Sequence, residues 1–311
     1  MLARLRVLIV GFWLGWLAGI GAHAAQTVVI VSSERSAAYL ETAQALLGEL
    51  ERAGVARAEV QLLTVSEWSA LRPLAPKLFV TLGAEAAGAL AKVEPRAPLL
   101  CTLLPRSSFE RVLRESGRKS SSQLSALYLS QPLSRQLELI RLALPTARRI
   151  GVLWGPESSA QAPQLKTLVQ AASLELVEAT VGPEESLFPA LSRVLEGADL
   201  LLAVADPQVY NSNSIQNILL ASFRARRPLL AFSPAYVRAG ALLALHVTPT
   251  QIGLQAATLA RAVLQGKTLP ATPVYAQDFQ VSVNQHVARS LGLTLDADAL
   301  RQQLRRAEGA P

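Results

Sequence analysis

Short apolar runs alternate with longer amphipathic ones along most of the chain. Residues 27–31 are apolar on nearly every position and read as a buried strand. Behind them Tyr39, Ala43, Leu46 and Leu50 recur at the spacing of one helical face, and Gly54 ends that helix. Residues 59–63, 78–82, 98–103 and 123–127 read as four more strands, with helical stretches between most of them. The pattern then begins again. Pro132 sits in a first helical turn, followed by Leu133, Leu137, Ile140 and Leu144 at helical spacing. Residues 149–154, 174–181, 199–204 and 228–232 form a second set of strands, separated by segments of helical length as in βαβ units. Residues 241–247 add one more strand, and Thr248-Pro249 caps a helix with Ile252, Ala256, Leu259 and Val263 on one face.

Strands that are apolar on consecutive positions belong to parallel sheets covered on both faces, so the predicted fold is α/β. The repetition is one of pattern, not of residues, and describes two similar lobes. The expected division is a signal peptide at 1–24, a first lobe at 25–130 plus about 247–275, and a second at 131–246 plus about 276–292, with a C-terminal helix and tail at 293–311. The polar stretch 116–125 reads as a mobile surface loop, with a hinge or partner-binding role as the alternative. Residues 269–273 read as a connection between lobes.

Composition narrows the class. Of 311 residues, 50% are hydrophobic and 17% charged, which excludes a disordered chain, and a single Cys excludes a disulfide scaffold. Arg4 and Arg6 precede an apolar run at 7–20 and the small-residue site Ala22-His23-Ala24, the pattern of a cleavable secretory leader. An uncleaved anchor is the alternative, although the run is shorter than a membrane span needs. The expected location is the periplasm, with no membrane-embedded part after processing. A net charge of +7 raises the question of nucleic acid, but the Lys and Arg are scattered and no basic stripe interleaves with aromatics. The densest cluster, Arg224, Arg226 and Arg227, reads as the last turn of a helix, where the dipole favours cations. Cys101 lies in an apolar run and reads as a buried, inert thiol.

The sequence lacks G-x-S-x-G, G-x-x-x-x-G-K-[ST] and H-E-x-x-H. His246 and His286 lie far apart with no Cys nearby, so neither a metal site nor a catalytic residue is expected, and no cofactor. Polar, small-residue turns instead follow the strands, where open α/β sheets bind ligands. They supply Ser33 and Ser36 after the first strand, Gly83 after the third, and Ser158 after the first strand of the second set. Asp206 with Asn211, and then Tyr236, follow two later strands. Amide groups at helix starts would receive an anion, Asp206 would face an ammonium group, and tyrosines would form flat walls, a set suited to an amino acid. On this reading Asp206→Ala weakens binding and spares stability. The same residues have structural roles open to them: Ser36, Ser158 and Ser233 as helix caps, Asp206 as a turn residue before Pro207, and the tyrosines as packing.

Two stretches carry a family likeness. Residues 128–145, YLSQPLSRQLELIRLALP, followed by RIGVLW at 149–154, resemble the start of the second lobe in TrpX-like substrate-binding proteins of ABC transporters. Gly266-Lys267, Leu269-Pro270, FQVSVN at 279–284 and ARSLGL at 288–293 resemble that family's C-terminal signature. The resemblance implies a type I periplasmic-binding-protein fold, with two Rossmann-like lobes closing over a ligand. It implies a solute-binding protein, not an enzyme, whose partners are a small molecule and an ABC permease. The alternative is a sensor or accessory module of the same fold that acts on a membrane receptor. Members often carry a hydroxyl residue after the glycine of the third strand, where this chain has Ala84-Glu85, so the resemblance leaves the ligand open.

Overall fold

The computed structural model describes residues 27–71 and 74–309; the expected leader lies outside the described residues. The first strand shows why its pattern is continuous. In β1 (Val28–Ser32) all five residues are buried. Val28 and Ile30 enter one core with Ala43, Leu46 and Leu50 of α1 (Ala37–Arg52), while Val29 and Val31 enter another on the opposite face. Side chains alternate across a strand, so helices on both sides demand apolar residues at every position.

The remainder of the first sheet is β2 (Val60–Thr64), β3 (Leu78–Leu82), β4 (Leu99–Leu104) and β5 (Leu124–Tyr128). Between them lie α2 (Val65–Ala70), α3 (Ala84–Val93) and α4 (Arg106–Ser116). The second sheet holds β6 (Arg149–Trp154), β7 (Glu175–Thr180), β8 (Leu200–Leu202), β9 (Leu229–Ala231) and β10 (Leu243–His246). Its helices are α5 (Leu133–Ala143), α6 (Ala162–Ala171), α7 (Leu187–Gly197), α8 (Ile215–Arg224) and α9 (Pro234–Ala239). The chain then returns to the first lobe for α10 (Pro249–Leu264) and β11 (Val274–Tyr275), and ends in the second with β12 (Gln280–Val283), α11 (Gln285–Ser290) and α12 (Ala297–Ala307). The sheet orders are β11-β5-β4-β3-β1-β2 and β12-β10-β9-β8-β6-β7. Both wind in the same way, which is the repetition seen in the sequence; the fold is the type I periplasmic-binding-protein architecture.

Several expectations shift. Strand β12 pairs antiparallel with β10, an edge addition to an otherwise parallel sheet. The segment 116–125 is less of a loop than its composition suggests. Ser116 is the last residue of α4, and Ser125 lies fully buried within β5, its hydroxyl donating to the Pro270 carbonyl at 2.5 Å. That bond also ties 269–273 to the first lobe, so this stretch is not a crossing. The crossings follow β5, β10 and β11. In α10 the buried face runs through Ile252, Gly253, Ala256, Ala257 and Ala260, with Leu259 and Val263 at its margin. Small residues face α1 because the two helices lie against one another. The helix starts as expected, with Thr248 and Gln251 forming a reciprocal cap.

Arg135, on α5, ties two of the crossings together. Its guanidinium donates to Gln131 Oε1 at 2.6 Å in the first and to the Ala276 carbonyl at 3.2 Å in the third. It also pairs with Glu308 at 2.5 Å and lies 4.4 Å from the centre of the Phe279 ring. Arg135→Met would leave two buried acceptors without donors, and is expected to cost about 2–3 kcal/mol, read from the urea midpoint. Arg135→Lys should recover only part of it, because an ammonium cannot span the same fork. Cys101 is fully buried, and burial pushes its thiol up to about 12. The folded protein is therefore expected to resist a thiol reagent at about pH 8 and to react only as it unfolds.

Candidate functional site

The chain crosses from the carboxyl ends of its strands, so these ends face each other between the lobes. Direct contacts between the two sides come from α4. Ser107 Oγ donates to the Ala205 carbonyl at 2.9 Å, and Ser108 Oγ to Glu157 at 3.2 Å. Arg111 pairs with Glu157 at 2.8 Å, and Arg106 donates to Gln164 at 2.7 Å. Ala205, Glu157 and Gln164 belong to the second lobe, beyond β8 and β6. A backbone irregularity precedes this reach: the pairing of β4 with β5 shifts register between Cys101 and Leu104, and Leu103 adopts φ +57°. Arg106 is held from its own side by Glu110 at 2.7 Å and Tyr275 Oη at 3.2 Å.

On the first lobe, Ser33 and Gly83 come together. Ser33 Oγ donates to the Leu82 carbonyl at 2.9 Å and accepts from Ala86 N at 3.0 Å, fastening the end of β1 to the first turn of α3. Gly83 caps α3 at φ +90°, and a Cβ there would lie 2.6 Å from Ser33 Oγ and 2.7 Å from Tyr39 Oη. The position therefore requires glycine on two counts. Burial, and then the charges of Glu34 and Glu85, hold the Tyr39 hydroxyl above its ordinary pKa. Ser36 stands apart from this knot, exposed at the start of α1 with no capping bond from its side chain.

On the second lobe, Ser158 and Asp206 are buried and joined. The Asp206 carboxylate accepts from the backbone N–H groups of Glu157 at 3.0 Å, Ser158 at 2.8 Å and Gln208 at 3.0 Å. Ser158 Oγ accepts from Gly155 N at 3.0 Å. A Cβ on Gly155 would sit 2.3 Å from Asp206, so two strand-end turns are pressed together around one carboxylate. Asn211 closes the next turn, its Oδ1 accepting from Asn213 N and Ser214 N at 3.0 and 3.1 Å. Tyr236 donates to the Tyr210 carbonyl at 3.3 Å. Both rings meet Phe232 edge-on, with centroids 5.2 and 5.9 Å away, forming an aromatic wall. Within it the buried Tyr210 hydroxyl has no hydrogen-bond partner, and burial holds its pKa well above the ordinary value.

Sequence reasoning passed over Ser107 and Ser108. Their signal is present in the sequence, because Pro105-Arg106-Ser107-Ser108 follows a strand and opens a helix like the turns that supply the candidate residues. Phe232 was missed because it reads as the end of a strand. Among the described residues, no group of three or more His, Cys, Asp or Glu is arranged to hold a metal. His246 lies in β10 beside Ser282 Oγ at 2.9 Å, and burial lowers its pKa. The occupancy of Asp206 revises one expectation. Asp206→Ala strands three backbone donors, two of them on the facing turn, and should cost about 2–4 kcal/mol in a denaturant titration, along with any loss of binding.

The family model for ABC transporter substrate binding proteins matches residues 63–305. A tyrosine-binding protein of Clostridioides difficile is 26% identical over 179 residues, covering 56% of this chain and 51% of that protein. The chain thus aligns with about half the length of this curated relative. Among solved structures, the ligand-free, open form of a Clostridium difficile substrate-binding protein with adhesive properties matches with a TM-score of 0.67 at 18% identity, over 87% of this chain and 96% of that one. A Streptococcus pneumonia ABC domain in complex with L-Trp matches with a TM-score of 0.62 at 16% identity, over 88% and 97%.

Proposed function

This chain belongs to the ABC transporter substrate-binding protein family, and from that premise we propose that it clamps an aromatic amino acid between its lobes and delivers it to an ABC importer. The observation that carries this reading is the meeting of strand-end turns across the lobes, with the side chains of α4 reaching from one to the other. Closing about the three crossings buries a small molecule without making or breaking a bond.

The two sides are chemically different, as an amino acid requires. The start of α3, where Ser33 and Gly83 converge, offers the N–H groups of Ala84 and Glu85 and the positive end of a ten-residue helix to a carboxylate, the Ala86 N–H being held by Ser33 Oγ. The half-buried Phe232 and Tyr236 offer ring edges to an aromatic side chain, with the buried Tyr210 packed behind them. Ser158, Asp206 and Asn211 shape the turns beneath that wall, and Ser36 stands at the rim. The tyrosine-binding relative and the tryptophan-bound structural neighbour favour the same ligand class. Delivery to a permease places the protein's work outside the cytoplasmic membrane. Among the described residues no helix is long and apolar enough to cross a bilayer.

Calorimetric titration with L-tyrosine, L-tryptophan, L-phenylalanine, L-leucine and L-glutamate tests the ligand class. An aromatic member should bind one to one and, at a hundred times its Kd, stabilise the protein by about 2.7 kcal/mol. Tyr236→Ala should weaken it about tenfold. Equal binding of leucine, or binding of none of the five, overturns the aromatic assignment. Transport is read separately, from ligand-dependent stimulation of a permease's ATPase in liposomes. A ligand that binds yet stimulates no permease points to a sensor.

A further inference from the structure

The arginine cluster is not explained by the cleft. Arg224 is the last residue of α8, and Arg226 and Arg227 follow it. They line a cavity of about 320 Å³ with Pro228 and Leu229, which open β9, and with Gly240, which precedes β10. These positions lie at the amino ends of the strands, the pole of the second lobe away from the first. The cavity has an apolar side formed by Leu219, Phe223 and Leu291. Phe223 is 61% exposed, an unusual setting for so large an apolar side chain.

Helix capping does not consume these arginines. The carbonyls of Ala221, Ser222 and Phe223 already accept from the backbone N–H groups of Ala225, Arg227 and Arg226. Arg227 Nε donates to the Leu195 carbonyl at 3.4 Å, and among the described residues none of the three forms an ion pair with a carboxylate. A separate observation points the same way. Ser222 lines the cavity, is 3% exposed, and its hydroxyl has no hydrogen-bond partner.

We propose that this pole is a second binding site, selective for a small amphiphilic carboxylate: an apolar body lies against Leu219, Phe223 and Leu291 while the carboxylate meets the guanidinium groups of Arg224 and Arg226 and the hydroxyl of Ser222. A planar guanidinium matches a carboxylate with two parallel bonds. The cavity lies at the small end of ligand-sized pockets, which limits the body to a short chain or a single ring. The site is independent of the cleft and of what the cleft binds.

Octanoate is the probe, with octanamide supplying the same body without charge and inorganic phosphate supplying charge without the body. Titration of the purified protein, followed by calorimetry and by amide shifts around Ser222 and Leu291, should show octanoate binding at least about tenfold tighter than either control. The exposed pair Arg224→Glu/Arg226→Glu should weaken octanoate about tenfold or more, and Ser222→Ala about threefold, with the melting temperature of the arginine variant unchanged. Tyr236→Ala, in the cleft, should leave octanoate binding intact. Equal affinity for octanamide, an arginine variant that binds as well as the parent, or sensitivity to Tyr236→Ala instead would each overturn the assignment.

Discussion

Two sheets joined by three chain crossings keep a fixed relation only if the crossings themselves are fixed, and a single buried cation does much of that work. Arg135 reaches the first crossing through Gln131 and the third through Ala276, and it rests on Phe279. Removing a guanidinium from water is costly unless each donor finds an acceptor. Here the acceptors, Gln131 and Ala276, come from segments 145 positions apart in the chain, so the charge is satisfied only when both segments are in place. The facing of the strand ends, and everything built on them, follows from that geometry.

The cleft is assembled mostly from groups that hold one another. Ser33 ties β1 to α3, and Asp206 ties the turn after β6 to the turn after β8. Each uses a polar side chain to satisfy backbone donors that a strand end leaves open. Polar residues at such positions thus have two functions: they make the turn rigid, and the rigid turn presents amides and rings at set places. The lobes divide the chemistry, with helix-start amides on one side and aromatic edges on the other.

Much of this architecture was legible because burial on both faces of a strand leaves an uninterrupted apolar run. Strands β3 and β6 can be read to the residue, and the start of α10 is written in Thr248 and Gln251. The remainder depends on partners far away in the chain. Strand β12 is short and half-buried, and nothing in its sequence says that it runs against β10. Ser125 looks like part of a polar loop until the Pro270 carbonyl is beside it. Asp206 reads equally as a ligand contact or a turn residue, and only the three N–H groups around it show how its carboxylate is engaged. The aromatic wall is half legible: Tyr210 and Tyr236 are expected as flat walls, whereas Phe232, between β9 and α9, reads as the end of a strand until both rings are seen to meet it.

Leu103 also bears on how such a scaffold diversifies. Its left-handed backbone offsets the exit of β4 from the neighbouring strand, and the hydroxyl pair that spans the lobes starts from that offset. Substituting Ser107 or Ser108 changes what is presented; losing one residue at Leu103 would change where it is presented, since side chains in a strand swap faces with every step. Substitution can therefore alter the side chains held between the lobes one at a time, whereas a deletion at this point would shift all of them at once and also take a buried leucine out of the first lobe's core.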